Sequence, residues 1–149
     1  MAVVIVLLVA VLFCVILIRA FARDSGQWEK MDPAQRLWFQ QLMQPDTMGM
    51  GSPGISCCGE GDGYWADVSH VRDGKLIAVI TDERDDTMLG RIHEDIGTEY
   101  EVPAKKIIGM EQRVGNPTGH TVIFLGVRQW LGMTKAPRPV LCYVQNGGV

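Results

Sequence analysis

The sequence predicts an α+β or mainly β fold: a small antiparallel sheet or partly open barrel with one short amphipathic helix, behind an N-terminal transmembrane helix. Three observations predict it. The first eighteen of 149 residues, MAVVIVLLVAVLFCVILI, carry no charge. One stretch, PAQRLWFQQLMQ at 33–44, repeats its apolar residues at the helical spacing. From residue 64 onward the period changes to two, with β-branched and aromatic runs separated by turn formers.

At ~1.5 Å per residue the uncharged run reaches ~27 Å as a helix, close to the thickness of a bilayer's hydrocarbon core. Arg19 follows it and can snorkel to the interface. A cleaved signal peptide competes with this reading, because AFA at 20–22 loosely matches a small-residue cleavage site. Against cleavage, the apolar run exceeds a usual signal core and no Lys or Arg precedes it. The reading adopted is a retained anchor over 1–23, a connector over 24–31 and a soluble domain over 32–149.

Asp32 followed by Pro33 is a helix start, an N-cap carboxylate ahead of proline at the first helical position. The helix should end before Pro45, with Trp38/Leu42 and Phe39/Met43 as i,i+4 apolar pairs. Residues 45–63 read as loop. Gly49 to Gly54 formally matches G-x-G-x-x-G, but a helix precedes it and Pro53 interrupts it, so a dinucleotide site is excluded. YWADVSHV and KLIAVITD flank Arg72-Asp73-Gly74, and Asp-Gly between apolar runs signals a hairpin. TEYEV, HTVIFLG and PVLCYVQ are further strands, and VPAKKIIGM makes a turn at Pro103 with a short strand after it.

Beyond residue 23 the chain has 12 basic against 17 acidic side chains, a net charge of −5. That balance argues against nucleic acid and against broad adhesion to anionic headgroups. Arg19, Arg23 and Lys30 after the anchor would place the domain in the cytoplasm by the positive-inside rule. The cysteines point the opposite way, because a small domain with separated cysteines belongs more often to an oxidising compartment.

Cys14 lies in the anchor, which leaves Cys57, Cys58 and Cys142 in the domain. One disulfide between Cys142 and either Cys57 or Cys58 would close a long loop and staple a small core. The remaining cysteine could be inert, could bond its neighbour, or could join a soft-metal site. Such a site would use Cys57, Cys58 and Cys142 with His70, Met48 and Met50, a donor set that favours Cu(I). Zinc is disfavoured, since adjacent cysteines lack the usual spacing. A thiol nucleophile would need His70, His93 or His120 as its base, and no spacing brings one to a cysteine. TDERDD at 81–86 lacks the pattern of a calcium loop and reads as solvated. GNPTGH at 115–120 packs turn formers ahead of a strand and could line a surface together with the Cys57 loop.

Taken together, WFQQLMQP, SCCGEGDGYWAD, YEVPAKKI, GNPTGHTVIFL and VLCYVQNGGV resemble a family of small, mostly exported proteobacterial proteins of unknown function. Its members carry an SCC-x-x-x-DG block, a GNPTG loop and a C-terminal cysteine strand, and the resemblance covers residues 38–149. It implies a periplasmic domain and assigns motif positions without roles: Cys57, Cys58, Asp62, Gly63, Gly115, Asn116, Pro117 and Cys142. Asp62, Gly63, Gly115, Asn116 and Pro117 are expected to form a motif surface.

The expectation from sequence is a non-catalytic accessory subunit or interaction module of a larger membrane protein complex. It would sit in the bacterial inner membrane, single-pass through residues 1–22, with a periplasmic domain, other subunits as partners and no cofactor. The anchor has no GxxxG and no intramembrane charge, so it offers packing rather than transport chemistry. A copper or redox-handling protein using Cys57, Cys58 and Cys142 is the first alternative, and a thiol-dependent enzyme the second.

Overall fold

Six short strands in two antiparallel sheets and two helices make up the architecture of a computed structural model, which describes residues 31–49, 51, 54–109, 115–127 and 137–146. The anchor over 1–23, the connector up to residue 30 and Met50 lie outside the described residues. Among the described residues no helix is long and apolar enough to cross a membrane.

Helix α1 spans Pro33–Gln41, and Asp32 caps it by accepting from the backbone N–H groups of Ala34 at 2.9 Å and Gln35 at 3.0 Å. It stops short of the expected residue 44. The reason is non-local: Leu42 accepts from the Cys57 N–H at 2.9 Å and Gln44 donates to the Ile55 carbonyl at 2.8 Å, so residues 42–44 are drawn into an extended pairing with 55–57. The chain then makes a 3₁₀ turn at Pro45–Thr47 and another at Glu60–Asp62.

The first sheet has the order β1 (Gly63–Trp65), β5 (Val122–Leu125), β6 (Val140–Val144), with β5 buried along its whole length. Its two faces build two cores. Val122 and Phe124 join Cys142, Val144, Trp38 and Phe39, while Ile123 and Leu125 join Tyr64, Tyr143, Tyr100 and Val102. Alternation along one central strand therefore sets a layer holding α1 and the Cys57 loop on one side and the second sheet on the other. Phe39 meets Phe124 edge-on at 5.8 Å between ring centroids.

The second sheet has the order β2 (Val68–Arg72), β3 (Lys75–Val79), β4 (Glu99–Val102). Asp73 and Gly74, with φ of 52° and 74°, form the two-residue turn of the β2–β3 hairpin that the sequence predicts. YWADVSHV is divided between sheets rather than forming one strand. At the corner Ala66 is buried and donates to the Thr121 carbonyl at 2.8 Å, and the chain leaves β1 for β2. After β4, Pro103 opens a 3₁₀ turn at Ala104–Lys106, and the expected strand reduces to a single parallel bridge of Ile107 with Tyr143.

Candidate functional site

Cys57 and Cys142 form a disulfide, fully buried among Phe39, Phe124 and Val144, across a sequence separation of 85 residues. Their Cα atoms are 5.6 Å apart, inside the normal range for a bridge. Closing a loop of that length restricts the unfolded chain by about 4.5 kcal/mol in the chain-entropy account. Cys58 lies outside the bridge, half-buried, with a left-handed φ of 76° and its N–H donated to Ser56 Oγ at 3.1 Å. The register explains the choice. Cys142 faces the α1 side of its sheet opposite Phe124, and Cys57 is held over that side by its bond to Leu42.

The donor set named for a soft metal is dispersed. Two of its thiols are consumed in the disulfide, His70 sits on β2 with Glu99 at 3.7 Å, and Met48 is exposed on the loop after the first 3₁₀ turn. Among the described residues no group of three or more His, Cys, Asp or Glu side chains could hold a metal ion. The motif surface also needs correction, because Asp62 and Gly63 are buried. A Cβ on Gly63 would stand 3.2 Å from Val122 Cγ1 and 3.3 Å from Phe124 Cε1, so this position is a close approach of backbone to core.

The solvated loop expected at 81–86 is instead the base of a buried ion network. Asp82 Oδ1 accepts from Arg84 Nε at 2.9 Å, and its Oδ2 accepts from Arg84 Nη2 and Arg91 Nη1, each at 2.7 Å, and from the Trp65 N–H at 3.0 Å. Burial alone would raise the Asp82 carboxyl, but the Arg84 and Arg91 bonds and the Trp65 N–H hold it far below the usual carboxylate range. Burial likewise opposes the charge on Arg91, while bonds to Asp82 and Asp86 raise its pKa. Arg84 Nη2 and Arg91 Nη1 also donate to the Gly63 carbonyl at 3.0 and 2.8 Å.

A second buried cluster adjoins the first at Tyr64. Arg138 donates to Tyr64 Oη at 2.7 Å, Glu94 Oε1 at 3.2 Å and the carbonyls of Gly126 and Leu125, each at 2.8 Å. Tyr64 Oη donates to the Ile92 carbonyl, and Tyr100 Oη donates to Glu94 Oε2 at 2.6 Å. Burial raises the Tyr64 phenol, against the opposing pull of Arg138. Arg91 lies over the Tyr64 ring at 4.3 Å from its centroid. These groups tie segment 82–94 to both sheets in a region closed to solvent.

The GNPTGH loop delivers its histidine to a shallow surface depression of about 340 Å³ lined by Trp65, Asp67, Thr81, Glu83, Arg84 and His120. Asn116 Oδ1 accepts from the Thr118 N–H at 3.0 Å and hydroxyl at 2.7 Å, and its Nδ2 donates to the His120 carbonyl at 3.0 Å, an Asx turn that fixes the loop. Gly115 supplies a left-handed φ of 84° and Pro117 is exposed. His120 stacks on Trp65 at 4.7 Å and 14°, with its Nδ1 at 2.7 Å from Asp67 Oδ2, and the Arg84 guanidinium lies 3.6 Å from the Trp65 centroid. Thus His120 and His70 each have a carboxylate neighbour, and exposed His93 has two, Asp86 at 2.6 Å and Asp95 at 3.1 Å.

Among the described residues, one edge of the second sheet is unpaired. All five residues of β2 are exposed, and β2 is the terminal strand of its sheet. In an antiparallel hairpin closed by two residues, the pair flanking the turn is hydrogen-bonded and pairs alternate from there. Arg72/Lys75, His70/Ile77 and Val68/Val79 therefore use their backbone groups within the hairpin. Ile80 agrees with this phase, since its N–H points to the β4 side and donates to the Thr98 carbonyl at 2.9 Å. Ser69 and Val71 consequently turn their N–H and C=O groups outward.

The sequence reading missed the β2 edge and the Asp82 and Arg138 clusters. An arginine inside an acidic run, Arg84 in TDERDD, was the only local sign of either cluster. Comparison with models of protein families, with curated proteins and with solved structures finds no match.

Proposed function

We propose that this chain is a non-catalytic accessory subunit of a larger membrane protein complex, anchored by one N-terminal helix in the bacterial inner membrane. Its disulfide-stapled periplasmic domain docks on a neighbouring subunit. The observation that carries the reading is the open β2 edge, with Ser69 and Val71 presenting backbone donors and acceptors and Val68 and Val71 exposed beside them. An uncovered strand edge is a template for another strand, and proteins that have no use for one commonly blunt it. Strand addition supplies main-chain hydrogen bonds from the edge and side-chain selectivity from the residues between them.

The test uses the full chain purified from native membranes in mild detergent. A partner subunit should be retained near one-to-one and should cross-link to a probe at Val68. Val71→Pro removes an outward N–H without touching the β2–β3 bonds. It should release the partner while the disulfide and the melting temperature stay close to the parent's. A partner held unchanged by Val71→Pro, or no stoichiometric partner at all, overturns the reading.

A further inference from the structure

The loop that follows α1 combines three features that no role above uses. Residues 47–59 contain no Asp, Glu, Lys, Arg or His. Met48 and Ile55 within it are 50% and 60% exposed. They adjoin each other: Met48 Cγ lies over Gly54, 3.1 Å from where a Cβ would stand, and the Ile55 N–H donates to Thr47 Oγ1 at 2.8 Å. The bonds of Gln44 to the Ile55 and Ser56 carbonyls, 2.8 and 3.0 Å, hold Ile55 beside the end of α1.

Two lysines stand beside this loop. Lys106 Nζ reaches Asp46 Oδ1 at 2.7 Å and Gln44 Oε1 at 2.9 Å, and Lys105 Nζ stands 3.5 Å from Asp46 Oδ2 with its side chain 70% exposed. Two lysines against one aspartate leave a local positive charge beside the exposed apolar side chains of Met48 and Ile55. Long cationic stems around an apolar projection suit the boundary between headgroups and acyl chains, where the tip enters hydrocarbon and the ammonium groups meet phosphate.

We infer that the apolar surface of Met48 and Ile55, with Lys105 and Lys106 beside it, is a bilayer-contacting surface that inserts at the interface of a membrane containing anionic lipid. The inference rests on the anchored reading proposed above. Under it, a connector of eight residues, 24–31, reaches at most about 28 Å when extended, so the start of α1 stays within that distance of the membrane. The net −5 of the chain beyond residue 23 repels an anionic surface as a whole, so contact needs a locally positive patch such as this one.

The full chain, carrying a benzophenone amino acid at Ile55, is reconstituted into nanodiscs of phosphatidylcholine with one quarter phosphatidylglycerol and irradiated, and adducts are read by intact mass. Met88, apolar and 77% exposed, is the control position, and a probe at Met48 covers a folding defect at Ile55. Lipid adducts should form at Ile55 or Met48 and be nearly absent at Met88. Lys105→Gln should cut them about fivefold in the anionic discs, the worth of one basic side chain near such a surface, and leave them unchanged in neutral discs. Chain held in the disc without lipid adducts at either loop position, or with adducts to polypeptide instead, overturns the inference and leaves the anchored reading standing. Chain that fails to enter discs overturns both.

Discussion

Replacing Asp82 by Asn tests whether the buried ion network holds segment 82–94 to the sheets. The substitution preserves shape, so no cavity contributes, but it removes a carboxylate whose side chain is 1% exposed and which accepts from Arg84, Arg91 and the Trp65 N–H. Arg91, as deeply buried, would be left with Asp86 as its ionic partner. Breaking a buried pair from one side costs about 3–5 kcal/mol, because the surviving charge stays desolvated. For a unit of this size that is a fall of roughly 12–20 °C in melting temperature. The acid limb gives an independent check. Unfolded Asp titrates near about 3.9, and the folded carboxyl is held well below it. The stabilisation is therefore complete above about pH 4 and drains away as pH falls through the folded value. The gap between thermal melts of parent and Asp82→Asn, constant from pH 7 to about pH 4, should narrow steadily from there to pH 2. A neutral-pH loss under about 3 °C, or two parallel pH profiles, refutes the assignment of Asp82 as the hub.

Cys142→Ser should cost about 2–5 kcal/mol in denaturant unfolding. Peptide mapping of the parent without reductant should recover Cys57 joined to Cys142 with alkylation on Cys58, and a Cys58–Cys142 peptide would sink the pairing. Gly63→Ala should destabilise by about 1–3 kcal/mol through overpacking against Val122, Phe124 and Phe39, and an unchanged urea midpoint would contradict the close approach. The imidazole of His93 titrates above its ordinary value because of its bonds to Asp86 and then Asp95. Its stabilising contribution is present below about pH 6.5 and is lost as pH rises through the folded value, a step that His93→Gln should erase from the stability profile. An NMR titration of His93 at or below the unfolded value would refute the pairing.

What the sequence made legible was local chemistry. Asp32-Pro33 starts a helix and Asp73-Gly74 turns a hairpin because the cap and the left-handed φ values involve neighbours along the chain. The helix end escaped because its cause is remote: residues 42–44 are captured by residues 55–57. The same holds for the break in YWADVSHV, where Thr121 receives the Ala66 N–H at the corner between sheets. Pairing of Cys57 rather than Cys58 depends on which face of the first sheet Cys142 occupies, and that follows from its register opposite Phe124. TDERDD read as solvated because the groups that satisfy Asp82 include Arg91, its counterion from outside the run, and the Trp65 N–H, a donor from another strand.

That contrast bears on where activity can reside in this domain. The side chains of Asp82, Arg91, Glu94 and Arg138 are buried; the arginines donate to carboxylates and backbone carbonyls, and the carboxylates accept from arginines, the Trp65 N–H and the Tyr100 hydroxyl, which is how a core tolerates charge. Cys57 and Cys142 are likewise committed to the staple. The features turned outward are of a different kind: the backbone edge at Ser69 and Val71, the neutral tip at Met48 and Ile55, and the His120 depression. Two of these three offer surface and main chain rather than a reactive side chain. The two proposals assign a subunit to the edge and lipid to the tip. Because they lie on different elements, Val71→Pro and Lys105→Gln should act independently. Loss of lipid contact on Val71→Pro would show the two surfaces to be one interface.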